Sequence, residues 1–435
     1  MINGMSKFIH TLTTVIISVA LAAPFLLTGC GDESGNDAAS LIEQLGSEDE
    51  DTHIKAAWLL SQMNSEALAP LGEALRSKNR TVARRAGEVL ATIGPASVDT
   101  LHKALADKEF PWSDIAAAAL VRIAPPSQAV LDALTDALKN GDAEARASAA
   151  EALGRARIDP KAVIDPLLNA LRDADRNVAE TAALALGAVG EQTAEPMVAA
   201  LSDSRVKHQR PIALVLAKFG AASSKAAGAL VKMLKEDDPE ARKVAVYTLR
   251  RIEPDPAIVA APLIELFNDP KEQISETAAQ VLGEIGSPAV ELLTKALSDE
   301  KITRPRHAAL SLAIMGHKAC DASDSLLGLL KSDDEQTRGT AAYALGRVSH
   351  GEQKILDALV DLLKNDPSEY TVQMYAAESL GRITPPAKTA IPALTEALKH
   401  PHQAVRQAAE QAIADIKSPP PKREPHKCNH KHHAH

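Results

Sequence analysis

The last ten positions of the chain hold His426, Cys428, His430, His432, His433 and His435. Imidazole and thiolate are ligands of Zn, Ni and Cu, so this cluster is expected to take up such metals. Its spacing matches no zinc-finger pattern, so a site here would be loose, and a solvated tail is the competing reading. Cys30 and Cys320 are the other cysteines. Three cysteines without a Cys-x-x-Cys motif do not make a disulfide framework. Cys320, in the loop Gly316-His-Lys-Ala-Cys320, is expected as a free or buried thiol, although a mobile tail could carry Cys428 back to it. No GxSxG, HExxH or GxxxxGK[ST] occurs, and His102, His208 and His307 have no partner identifiable in the sequence. No catalytic site is expected.

Cys30 has a chemistry of its own. Lys7 opens a short positive region, Val15 to Leu27 is mostly apolar, and Leu27-Thr28-Gly29-Cys30 follows. The apolar run is too short, and its flanks too small, for a membrane span. The tetrad resembles the lipobox of bacterial lipoproteins. That resemblance implies diacylglycerol on the Cys30 sulfur, cleavage before Cys30, and a further acyl chain such as palmitate on the new amino group. Two or three chains anchor durably where one is marginal. By the same resemblance, Asp after the cysteine favours inner-membrane retention, so Gly31 points to the outer membrane if the cell has one. Gly31 to Ala38 is polar and reads as a flexible tether.

Two further sets of side chains recur at fixed intervals. Asp99, Asp132, Asp165, Glu195, Glu291, Asp324 and Asp357 share one position, and Arg146, Arg242, Arg338 and Arg406 share another. Stacked in register, the acids would form a stripe for a basic protein partner; each would equally favour its own helix N-terminus through the dipole. The arginines could form a ladder for an anion. Three of them follow an aspartate by four residues (Asp142, Asp238, Asp334), which favours an ion pair within each helix, with a link to the next repeat as its extension.

The elements that must position these columns are visible as repeats. Asp142-Ala-Glu-Ala-Arg146-Ala-Ser-Ala-Ala-Glu-Ala-Leu-Gly154 returns at Asp175 to Gly187, Asp334 to Gly346 and Glu369 to Gly381, with weaker copies near Asn79, Glu109, Arg205, Asp238, Lys271, Lys301 and His402. The spacing of roughly 30 to 35 residues is that of solenoid repeats. Each copy is followed by a second helical pattern, such as Val163-Ile-Asp-Pro-Leu-Leu-Asn-Ala-Leu171, so one unit is helix A, turn, helix B. Asp142, Asp175, Asp238 and Asp334 stand at N-cap positions. Gly94, Gly190, Gly220, Gly286 and Gly316 are expected to end helix A in the left-handed conformation. Pro111, Pro211 and Pro305 fall in or near helix A and are expected to bend the stack locally.

The pattern resembles the HEAT family, and more narrowly the HEAT-like repeats of phycobilisome lyases, with the core Asp-x-x-Val-Arg-x-x-Ala-Ala-x-Ala-Leu-Gly. The resemblance implies an all-α, right-handed superhelical α-solenoid of about 11–12 stacked helix-turn-helix repeats, with B helices on the concave face. The organisation expected is a signal peptide over 1–29, a lipidated tether over 30–38, the solenoid over 39–416, and a Pro/His-rich disordered tail over 417–435. Ala39 to Gly46 reads as a lone B helix capping one end.

Composition agrees. The chain is 45% hydrophobic but only 3% aromatic, so the core must be Ala, Leu, Val and Ile. The net charge is −9; the tail from Lys417 carries +4 and Lys7 adds +1, leaving −14 between Cys30 and Ile416. An acidic body argues against a nucleic-acid partner. The function expected is a membrane-anchored protein-interaction scaffold. A metal-binding envelope lipoprotein using the His/Cys tail, and a lyase-like HEAT-repeat enzyme, are the alternatives.

Overall fold

The helices begin where side chains satisfy their first N–H groups. Asp49, Asn79, Asp175, Asp238 and Asp334 hold extended backbone and accept an N–H two or three residues on, as at Thr81 N (2.9 Å) and Thr337 N (2.9 Å). Asp159 and Asp255 do the same ahead of Pro160 and Pro256, whose missing N–H falls among the donors that a helix leaves unpaired anyway. The structure is a computed structural model and describes residues 37–384 and 387–418; these are all-α, with no strand among them.

Two compact units meet in the chain at Ala145 and Arg146. The first holds α1 (Ala38–Leu45), α2 (Glu50–Gln62), α3 (Ser65–Leu75), α4 (Arg80–Ile93), α5 (Val98–Ala106), α6 (Ser113–Arg122) and α7 (Gln128–Asn140), and α8 (Ala143–Arg155) runs across the boundary. The second continues with α9 (Pro160–Ala170), α10 (Arg176–Val189), α11 (Ala194–Leu201), α12 (Gln209–Phe219), α13 (Ala227–Met233), α14 (Pro239–Arg251), α15 (Pro256–Glu265) and α16 (Glu272–Ile285). It ends with α17 (Val290–Ala296), α18 (Arg306–Met315), α19 (Ser323–Leu329), α20 (Glu335–Val348), α21 (Gln353–Asn365), α22 (Thr371–Arg382), α23 (Ile391–Ala397) and α24 (Gln403–Lys417). Even numbers are A helices and odd numbers B helices. Eleven A–B pairs are therefore described, with α1 a lone B helix at the start and α24 a lone A helix at the end.

Within each unit, successive A helices pack on one another and on the adjacent B helices. The core is Leu and Ala almost throughout, and Phe267 is the largest fully buried side chain. The A helices approach to backbone contact. A Cβ added to Gly346 of α20 would stand 2.6 Å from Ser379 Cα of α22. Buried hydroxyls close the same seams. Ser379 Oγ donates to Ala342 O (2.8 Å), Ser311 Oγ to Ala279 O (2.9 Å) and Thr248 Oγ1 to Ala213 O (3.2 Å), each on the preceding A helix.

Two local expectations are corrected. Gly94, Gly190, Gly220, Gly286 and Gly316 do end A helices with positive φ, but their ψ lies between −133° and −173°, away from the left-handed helix. That region belongs to glycine, and it turns the chain sharply toward helix B. Pro111 lies two residues before α6, Pro211 is the third residue of α12, and Pro305 immediately precedes α18. None is deep enough to kink its helix. The effect is a late start: these helices have 10, 11 and 10 residues, where α10, α16 and α20 have 14. One described stretch, Gln209–Met233, is long and apolar enough for a membrane span. It is α12, a turn at Gly220 (φ 59°) and α13, with Ile212, Leu216 and Leu230 fully buried in the core.

Gly346→Ala is expected to cost about 1–3 kcal/mol by overpacking α20 on α22. Gly328→Ala in α19, whose Cβ meets nothing within 4 Å, should be neutral or stabilise by up to about 1 kcal/mol. Urea melts followed by circular dichroism measure both, and equal effects would refute the backbone contact.

Candidate binding surface and the staples beneath it

The acidic column lies on the B helices and is exposed at all seven positions. In the first unit, Asp99 is the second residue of α5 and pairs with Lys103 (2.6 Å), while Asp132 accepts from Gln128 Nε2 (2.7 Å) on α7. In the second unit, Glu195 pairs with Lys225 (3.0 Å), Glu291 with Lys295 (2.7 Å) and Asp324 with Lys354. Asp357 accepts from Gln353 Nε2 (2.7 Å), and Asp165 stands exposed on α9. The column is thus mixed in sign. Its relation to the helix starts also divides. Asp99, Glu195, Glu291 and Asp324 occupy first turns, but Asp132, Asp165 and Asp357 sit a turn further in, because α7, α9 and α21 begin earlier. The dipole therefore accounts for four positions and not for the other three.

The arginine column is not a ladder open to an anion, and its in-helix ion pairs are replaced by the link to the next repeat. The aspartates four residues earlier cap the helices. Arg146, Arg242 and Arg338 instead reach the loop after the following helix B. Arg146 Nε and Nη2 clasp Asp173 at 2.7 and 2.8 Å, Arg242 clasps Asp269 at 2.5 and 3.2 Å, and Arg338 clasps Asp366 at 2.7 and 3.2 Å. The third nitrogen turns back to the loop before its own helix. Arg242 Nη1 donates to Glu236 O and Asp237 O (both 2.9 Å), Arg338 Nη1 to Ser332 O (2.9 Å) and Asp333 O (3.1 Å), and Arg406 Nη1 to His400 O (2.8 Å) and Pro401 O (2.7 Å). One planar fork thereby ties two successive loops.

Other repeats put different donors at this position. Gln209 Nε2 donates to Leu201 O (3.2 Å), Ser275 Oγ to Leu266 O (2.9 Å) and Gln373 Nε2 to Asp366 O (3.0 Å). The receiving aspartates escaped the sequence reading, although a signal was present. Asp107, Asp173, Asp203, Asp269, Asp299 and Asp366 each stand in the loop before helix A and accept the N–H two residues on. Burial pushes the Asp366 and Asp173 carboxyls up, but the guanidinium bonds and the loop N–H groups outweigh it and hold both below the usual range. The Asp269 and Asp366 carboxylates in turn raise Arg242 and Arg338.

Two of the isolated histidines acquire partners. His102 Nε2 meets Asp136 Oδ2 at 2.8 Å, bridging α5 and α7. His307 Nε2 meets Glu272 Oε1 at 3.0 Å, and burial, aided by Arg306, lowers its pKa against the pull of Glu272. His208 precedes α12 and lines a shallow cavity with Arg176, Lys207, Arg210, Glu236 and Asp238. At the A-to-B turns after α18 and α20, the rings of His317 and His350 stack at 5.1 Å. Cys320, in the first of these turns, is 5% exposed and disulfide-bonded, which corrects the expectation of a free thiol. Cys30, and His426, Cys428, His430, His432, His433 and His435, lie outside the described residues.

Paired helices in register define the class as an all-α solenoid. The family model for HEAT repeats matches residues 38–122, 68–154, 131–207, 260–346 and 323–414, and the chain belongs to that family. Among solved structures, Kap121p aligns at 16% identity over 86% of this chain and 48% of its own, with a TM-score of 0.61. Kap121p bound to the SUMO protease Ulp1p aligns at 16% over 89% and 49%, with a TM-score of 0.60. Importin beta aligns at 16% over 87% and 61%, with a TM-score of 0.50. The chain spans about half the length of Kap121p, and at these identities the likeness is one of fold. No curated protein matches the chain.

Asp366→Asn should cost about 3 kcal/mol at pH 7, because it leaves the mostly buried Arg338 without its counter-charge. The native Asp366 pKa is depressed below the ordinary 3.8. Its contribution is therefore complete above that value and lost as pH falls through the native one. The gap between wild type and variant should shrink between pH 5 and pH 2. Denaturant melts across that range measure it, and a constant gap would show that the charge is not what matters.

Proposed function

We propose that the chain is a lipid-anchored scaffold of the cell envelope that recruits a protein partner along its exposed B helices. The observation that carries this reading is the recurrence of one exposed carboxylate position on B helices of both units, in repeats whose loops the staples already align. Its ion pairs to Lys103, Lys225, Lys295 and Lys354 are solvent-exposed and individually weak, so basic groups of a partner can displace the lysines. The fold supports the same reading: the Kap121p structures of similar fold are recorded bound to Ulp1p and to Pho4p. The partner would be a basic protein, not a nucleic acid, and the chain a binding protein, not an enzyme. The finer likeness to phycobilisome-lyase repeats is taken as one of architecture. Leu27-Thr28-Gly29-Cys30 supplies the anchor and Gly31 favours the outer membrane.

Cys30→Ser is expected to move the protein from the membrane pellet to the soluble exported fraction. Retention after a high-salt wash would exclude the thioether-linked lipid as the anchor. For the surface, changing Asp132, Asp165, Asp324 and Asp357 together to Asn should weaken capture of the partner roughly tenfold at low salt and flatten its salt dependence. The melting temperature should stay nearly constant, since exposed charges add little stability. The partner is obtained by cross-linking in the native envelope, and its affinity measured at two ionic strengths. Unchanged affinity and slope would assign these acids no part in binding.

A further inference from the structure

One position of the A helices carries a bare apolar side chain in three successive repeats. Leu184 of α10, Leu214 of α12 and Tyr247 of α14 are 64%, 47% and 48% exposed. Leu214 and Tyr247 each stand five residues after the loop-holding donors Gln209 and Arg242, and Leu184 takes the same place in its repeat. Single exposed leucines are ordinary, but recurrence at one register position is not scatter. α10 packs on α12 and α12 on α14, so the three line up within the second unit as a ridge about 20 Å long. Glu151 on α8 and Gln280 on α16 hold the same position and bound the ridge. On α20 the position is Tyr343, but there Arg347 and Arg382 each lie over the ring, 5.5 Å from its centroid.

The charge beside the ridge is positive. Lys218 and Arg251 stand one turn beyond Leu214 and Tyr247 on the same helix faces. Both are exposed, and neither pairs with a carboxylate among the described residues. The nearby acids are already matched: Glu180 by Arg176 (2.5 Å), Glu284 by Arg250 (2.6 Å) and Glu240 by Lys243 (3.9 Å).

We propose that this ridge is a second membrane contact, which lays the A helices α10, α12 and α14 on an anionic lipid surface. The inference rests on the proposed Cys30 anchor, which keeps a bilayer within reach. The apolar side chains protrude from separate helices about 10 Å apart. Lipid yields around isolated protrusions, whereas a protein partner would need a matching pocket for each. The leucines enter the headgroup boundary, Tyr247 follows with its hydroxyl left in water, and Lys218 and Arg251 meet lipid phosphates. Asp165 and Glu195 belong to the B helices α9 and α11, in the other layer, so the contact keeps these acids away from the anionic surface. The anchored chain is thereby oriented with its B helices open to a partner.

The full-length lipidated chain is mixed with excess vesicles of phosphatidylcholine, alone or with about one third phosphatidylglycerol, at low salt. Hydroxyl-radical footprinting read by mass spectrometry reports each side chain. On the anionic vesicles, oxidation of Leu184, Leu214 and Tyr247 should fall roughly threefold. Ile258 on α15 and Leu292 on α17, exposed on B helices, should keep their rates. Lys218→Glu with Arg251→Glu should abolish the protection without changing the helical circular dichroism. Unchanged rates on the anionic vesicles, equal protection on both vesicles, or equal protection of Ile258 and Leu292 would each overturn the contact. Protection in the native envelope that is absent on vesicles would assign the ridge to a protein and overturn it too. Flotation with the vesicles after a high-salt wash reports the anchor separately, because salt screens the ridge and leaves acyl chains in place.

Discussion

A guanidinium that grips the aspartate of the next loop with two nitrogens, and its own loop with the third, is the interaction on which the arrangement of repeats depends. Helix pairs with small cores need something besides area to hold their register, because Ala-on-Ala contacts are smooth. Arg242 and Asp269 are nearly excluded from water, with side-chain exposures of 12% and 2%. Such a pair adds little net stability over an apolar one, but its geometry admits only one alignment of neighbouring loops. Gln209, Ser275 and Gln373 hold the corresponding loops without a charge. The position is therefore defined by the carbonyls it must satisfy, and arginine is the donor that can also reach onward.

Because the loops are held from inside, the outer faces of the B helices are released from structural duty. Their carboxylates are solvated and bonded to lysines or glutamines within reach, an arrangement that costs little to rearrange when another surface arrives. The A helices are committed differently. Backbone-close seams such as Gly346 on Ser379 leave no room for variation there. The segment 208–259, which falls between the family matches, includes the shortened α12, where Pro211 delays the helix start. A repeat can thus lose the family's sequence pattern and keep its place in the stack, because Gln209 and Thr248 still make the inter-helix bonds.

Residues close in sequence were legible without a structure. Helix period, the caps at Asp175, Asp238 and Asp334, the glycines that end helix A, the lone first helix and the pairing of helices into repeats all arise from contacts within one or two turns. Those contacts are dictated by 3.6-residue geometry and by the φ range open to glycine. What only the tertiary structure decided involves partners a whole repeat away. Arg146, Arg242 and Arg338 each have an aspartate at the ideal in-helix spacing, yet that carboxylate is already bonded to backbone N–H groups. The guanidinium turns to one 27 or 28 residues downstream. Lysines brought alongside Glu195 and Asp324 from 30 residues away change a column read as purely acidic into a mixed one. Which groups meet across repeats is set by how the loops stack, and a one-dimensional pattern records the period of that stacking without its rotation or offset.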